Sequence, residues 1–178
     1  VASRGLGDVY KRQAHGCVKA EVTVRTDLEE TLRQGVLSEP GKTWQAWMRL
    51  SNGNAYPQFD RARDARGMAI KLLDVPGAKL MSSPRHAGDQ DFVMFNHPAF
   101  FVRDVAEYRS NFAAQADGKK ALAFFPSWDP RTWEIRHLII ALKTLSPAPS
   151  SPVETTYNSI APFKLGPHNI KYLSLIHI

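Results

Sequence analysis

Two stretches of this 178-residue chain carry side chains whose type and spacing could do chemistry. The first is Trp47-Met48-Arg49-Leu50-Ser51-Asn52-Gly53, joined a few residues later by Arg63-Asp64-Ala65-Arg66-Gly67-Met68-Ala69-Ile70-Lys71. The second runs Gln90-Asp91-Phe92-Val93-Met94-Phe95-Asn96-His97-Pro98-Ala99-Phe100-Phe101-Val102-Arg103-Asp104. Arg49 stands in an otherwise apolar, Trp-rich segment. Its guanidinium can snorkel over Trp47 into solvent. Asn96 closes an apolar run just before His97-Pro98, where an amide can serve a ligand or form an ordinary turn. Gly67 follows Arg66 as part of a turn leading into a strand. Phe100, Phe101 and Tyr108 read most simply as core. The six histidines, at 15, 86, 97, 137, 168 and 177, include no i, i+4 pair, so a zinc site is not expected. A Gly-x-Ser-x-Gly elbow, a Gly-rich phosphate loop, His-Glu-x-x-His and paired cysteines are all absent.

The elements that must hold these residues are legible from periodicity. Cys17 to Arg25 alternates strictly, with Val18, Ala20, Val22 and Val24 opposing Lys19, Glu21, Thr23 and Arg25, which predicts a half-buried strand. Thr26 to Glu30 carries a capping-box pattern, and Leu28, Leu32 and Val36 then fall on one face of an expected helix. Trp44 to Ser51 alternates again, ending in a Ser51-Asn52-Gly53-Asn54 turn. Gly67–Leu73 and Asp91–Asn96 give a third and a fourth strand. Asp104 and Glu107 cap a helix carrying Val105, Tyr108, Phe112 and Ala113, and Pro130 opens a second one over about 131–145. A stiff Pro147-Ala148-Pro149-Ser150-Ser151-Pro152 linker leads to a last extended stretch, Thr155 to Tyr172. Strands first and helices afterwards, without βαβ alternation, argue an α+β fold on an antiparallel sheet.

In order and spacing the two clusters resemble the catalase family, in particular its small bacterial branch of catalase-like haem proteins. That branch also carries the later Tyr-x-Ser-x-x-Pro-Phe and Ile-Lys-Tyr elements, present at Tyr157 to Phe163 and Ile170 to Tyr172. The similarity covers about residues 14–173. It implies a partial antiparallel β-barrel of the catalase type with helices following the strands, haem as cofactor and a peroxide as substrate. Hydrogen peroxide is the first choice. Organic or lipid hydroperoxides are the alternative within the same chemistry, and a non-catalytic β-barrel module binding an apolar ligand is the alternative outside it. By resemblance Arg49 pairs with a haem propionate, Gly67 lets the backbone lie against the porphyrin, and Phe100 and Tyr108 line its plane. Asn96 is by the same resemblance the amide that orients bound peroxide. The family's motif reads Asn-Asn-Thr-Pro where this chain reads Asn96-His97-Pro98, so the asparagine can be matched in either of two registers.

The departures from the family pattern are as specific as the matches. Its distal acid–base histidine, in a His-x-Lys element, falls on Lys11 when the chains are matched on His15-Gly16-Cys17-Val18, and His15 does not inherit the role. Its proximal tyrosine belongs to an Arg-x-x-x-Tyr element on a C-terminal helix that by resemblance is expected beyond residue 178, and no such element occurs in these residues. The chain as it stands is therefore expected to show no catalase activity and to bind haem weakly if at all.

Composition bounds the rest. With 43% hydrophobic and 22% charged residues the chain is globular. No apolar run approaches the roughly 18 residues of a membrane span. The net charge of +6 comes from scattered residues with acids between them, which does not make a nucleic-acid surface. Residues 1–13 and 174–178 resemble translated sequencing-adapter DNA and read as non-native, with 14–173 as the partial catalase-like domain. Three of the 23 basic residues, Arg4, Lys11 and Arg12, belong to that first segment. The single cysteine, Cys17, is expected to be a small buried strand residue without a disulfide partner. A bacterial cytoplasm and periplasm both remain open as compartments, and a homo-oligomer is the expectation for a full-length parent.

Overall fold

The computed structural model describes residues 14–53, 59, 62–78, 88–100, 102–116, 135–145 and 151–175. Four long strands come first: β1 (Ala14–Thr23), β2 (Thr43–Asn52), β3 (Arg66–Leu72) and β4 (Gln90–Phe95). Two helices follow, α1 (Val105–Ala116) and α2 (Ile135–Thr144), and the chain then returns to short strands. Of these, β5 (Tyr157–Ser159) and β8 (Leu173–Ser174) join the main sheet, in the order β1-β2-β3-β4-β5-β8. Strands β6 (Phe163–Leu165) and β7 (His168–Ile170) make a separate hairpin around Gly166-Pro167, where Gly166 takes a positive φ of 56°. Every pairing is antiparallel, and the sheet curls into an open half-barrel.

Alternation fixes the register. Val22, Trp44 and Ala20, Ala46 are paired between β1 and β2, and Ala46 continues to Leu72 on β3. Val24, Trp44, Ala46 and Leu72 form one buried cluster, and Met68, Met94 and Tyr157 form a second on the same run of the sheet. The apolar period 2 of the sequence thus becomes one inward face.

Between β1 and β2 the chain departs from the expected helix. It forms two single 3₁₀ turns, Glu30–Leu32 and Gly35–Leu37. Gln34 is extended and Gly35 has φ +54°, so the α ladder cannot continue past Leu32. Burial still drives the segment onto the sheet: the Trp44 indole donates to the Val36 carbonyl at 3.1 Å, with Leu28, Val36 and Leu37 packed on its cluster. Cys17 also departs from expectation. It is exposed, because its register opposite Arg49 places it on the polar face with Lys19 and Glu21.

Helix α1 is capped as its sequence predicts. The Glu107 amide donates to Asp104 Oδ1 at 2.9 Å, and the Arg103 amide donates to Glu107 Oε2 at 2.7 Å. Residues 131–134 and 146–150, at the ends of the second expected helix and in the proline linker, lie outside the described residues, as do 1–13. Ser174, placed with the adapter-like tail in the sequence, pairs with Tyr157 in β8.

Candidate functional site

Three neighbouring strand residues define the middle of the candidate wall. Ser51 on β2 is paired with Gly67 on β3, and Gly67 with Phe95 on β4. Arg49 lies two residues from Ser51 and pairs with Cys17 on one side and Ala69 on the other. By strand alternation Arg49, Ser51, Gly67 and Phe95 all share the face opposite Met68 and Met94. Arg49 is half-buried there and Gly67 buried. Trp47 is covered by a lysine: Lys19 Nζ stands 5.7 Å from its ring centre.

Aromatic packing continues this wall beyond β4. The Phe95 and Phe100 rings meet edge to face at 5.6 Å, and Phe100 stacks on Tyr108 of α1 at 6.3 Å and 22°. Four of the five residues expected from the sequence are therefore linked: Gly67, Phe100 and Tyr108 through Phe95, and Arg49 along the same strand face.

Asn96 is placed differently. It sits just past β4, where its own amide donates to the Arg66 carbonyl at 3.1 Å. Its Oδ1 accepts from the Arg66 amide at 3.0 Å, and its Nδ2 donates to the Thr144 carbonyl at the end of α2, also at 3.0 Å. Both polar atoms of this side chain are bonded to backbone, and one amide hydrogen is left over. His97 turns on itself, its Nδ1 contacting the Ala99 amide and carbonyl.

A buried polar cluster lies on the opposite face of the sheet, at the same strand ends, and was not visible in the sequence. Arg66 Nη1 donates to Asn52 Oδ1 and lies 2.8 Å from His15 Nε2, which also contacts Asn52 Oδ1. Arg66 Nη2 donates to the Ala62 carbonyl at 3.1 Å. Asn52 and Arg66 face each other in the β2–β3 register, so the pairing of two strands creates the contact. Each residue read alone is a turn residue, and only the register joins them.

Glu107 is a charged group held by several partners. Side-chain and then backbone hydrogen bonds from Arg103 keep its carboxyl below the ordinary carboxylate range, against a small opposing effect of burial. Buried His137 of α2 stands 3.5 Å away on the same carboxylate. Burial pushes the Tyr157 and Tyr172 phenols up, and their hydroxyls donate to the carbonyls of Pro152 at 2.7 Å and Val93 at 3.3 Å.

The residues on the wall suit the rim and one plane of a flat anionic macrocycle: a half-buried cation, a strand glycine and stacked aromatic rings. Among the described residues no group of three His, Cys, Asp or Glu side chains could hold a metal. No described helix is long and apolar enough to cross a membrane.

Comparison with known proteins gives the same family from the sequence side. A curated relative, Catalase easC of Arthroderma otae, is 30% identical over 112 residues, which is 61% of this chain and 21% of that protein. The chain thus spans about a fifth of the length of the relative it matches. The family model described as Catalase matches residues 9–134, a span that contains Arg49, Gly67, Asn96, Phe100 and Tyr108, and the chain belongs to the catalase family.

Proposed function

We propose that this chain forms one wall of a haem pocket in a catalase-like oxidoreductase that acts on hydrogen peroxide. The observation that carries the reading is the shared strand face of Arg49 and Gly67, continued by the Phe95–Phe100–Tyr108 rings, in a chain of the catalase family. Arg49 would pair with a propionate, because a guanidinium offers two parallel donors and keeps its charge at any working pH. Gly67 would let the macrocycle approach the strand where any side chain would hold it off. Phe100 and Tyr108 would cover the plane and keep water from it. Haem, when bound, supplies the redox chemistry on the peroxide.

Titrating the full chain with haemin, while recording the visible spectrum and oxygen release from peroxide, tests this reading. Weak, saturable uptake of about one haemin per chain is expected, without steady oxygen release, since Lys11 stands at the position of the family's histidine and no Arg-x-x-x-Tyr element occurs in these residues. No uptake at about 100 μM, roughly 5 kcal/mol of binding free energy, would contradict the pocket. Steady oxygen release, or a tight tyrosinate-type high-spin spectrum, would contradict the claim that those two groups are missing.

A further inference from the structure

The one-residue step between Phe95 and Asn96 decides what the wall offers a ligand. We propose that Phe95 is the specificity-determining residue of β4 on this wall, and that Asn96 is a positioning residue that clamps α2 to the sheet. The proposal rests on the pocket reading above. Phe95 is the last residue of β4, lies directly opposite Gly67 in the ladder, and carries the aromatic contact to Phe100. A flat ligand drawn to Gly67 therefore meets an aromatic ring on the neighbouring strand. The amide oxygen and one of the two amide hydrogens are used elsewhere. Asn96 accepts from the Arg66 amide and donates to the Thr144 carbonyl, so it extends the β3–β4 ladder by one pair and ties it to the last turn of α2.

The tie satisfies groups that would otherwise be orphaned. The Thr144 carbonyl falls among the last four of α2, which have no partner within the helix, and Thr144 itself is buried. Its hydroxyl is used within the helix, donating to the Ile140 carbonyl at 2.8 Å, so the Asn96 amide is the described donor that reaches the Thr144 carbonyl from outside. An amide with one oxygen and one nitrogen is the side chain that can accept from a strand and donate to a helix end at once. Placing an asparagine at 95 instead would put an amide on the wall and break the ring sequence Phe95–Phe100–Tyr108. The wall as built is aromatic on the β4 side, with Arg49 and Ser51 as the polar residues of its β2 side.

The test uses the full chain with metal-free protoporphyrin as probe, because that macrocycle reports the wall without needing an iron ligand. Affinity is read from quenching of tryptophan fluorescence, and stability from Tm and from amide hydrogen exchange of the unliganded chain. Phe95→Leu should lower Tm through the loss of a buried ring, and should weaken porphyrin binding about tenfold when affinity is measured well below that Tm. Asn96→Ala should lower Tm and speed exchange throughout α2, while porphyrin affinity measured well below Tm stays within about twofold. The proposal is overturned if Asn96→Ala loses affinity tenfold with Tm and α2 exchange unmoved, or if Phe95→Leu leaves affinity unchanged. If the wild-type chain takes up no porphyrin, the pocket reading falls, and the Phe95 assignment falls with it. The clamp is then decided separately in the unliganded chain by the exchange of the Asn96 side-chain amide: slow exchange upholds it, and exchange at the solvent rate overturns it.

Discussion

At Glu107 the capping of one helix and the docking of another meet on a single carboxylate. It accepts from the Arg103 amide and guanidinium and faces His137 of α2. Its pKa is held down in the folded chain, so its contribution to stability is present above the ordinary value of 4.5 and is lost as pH falls below that. Acid titration followed by helical circular dichroism should show loss of the α1–α2 contact below about pH 4.5, and Glu107→Gln should remove that acid-dependent step while lowering stability at neutral pH. Two other residues make comparable predictions. Tyr157→Phe removes a buried hydroxyl from the Pro152 carbonyl and should cost about 1 kcal/mol in denaturant unfolding. Asn52→Ala takes an acceptor from buried Arg66 and should cost about 2 kcal/mol, with the larger loss because a charged donor is involved. The Asp104–Glu107 cap was legible in the sequence because capping is local. The Asn52–Arg66 contact was not, because it exists only once two strands are in register.

At the scale of elements, alternation carried most of the information. The four long strands fall within a residue or three of where period 2 places them, since each has one face on a common core. The segment 26–37 shows where pattern misleads. Leu28, Leu32 and Val36 do have helical spacing, and Leu28 and Val36 end up packed toward the sheet together with Leu37, yet the backbone reaches that arrangement through two 3₁₀ turns. Gly35 in the left-handed region is the reason. Gly35→Ala should therefore destabilise the chain by about 1 kcal/mol, rather than stabilise it as a helical glycine-to-alanine change would. Thermal unfolding gives the sign directly, and a rise in Tm would show that a helix can form there. Cys17 gives a second lesson at this scale. Its small, apolar character suggested burial, but the parity of the strand put it outside, and parity outranks residue type in a one-sided sheet.

For the molecule as a whole, the open sheet leaves β1 as an edge among the described residues, ten residues long and with Val18 53% exposed. An edge of that length, with an apolar side chain available, favours pairing between chains. Light scattering should show association that grows with concentration, and Val18→Lys should suppress it without changing the circular dichroism. The site as a whole was legible in part. Short motifs singled out Arg49, Gly67, Phe100 and Tyr108, which the fold gathers around one sheet face, whereas the commitment of the Asn96 amide to α2 depends on a contact 48 positions away in the sequence. The central claim is that this face accepts a porphyrin with its carboxylate at Arg49, and one comparison tests it most directly: the affinity of the wild-type and Arg49→Gln chains for protoporphyrin and for its dimethyl ester. The wild-type chain should prefer the free acid by about tenfold, on the order of 1.4 kcal/mol, and Arg49→Gln should abolish that preference while leaving ester binding unchanged. Equal affinity of the wild-type chain for acid and ester, or a preference that survives in Arg49→Gln, would contradict it.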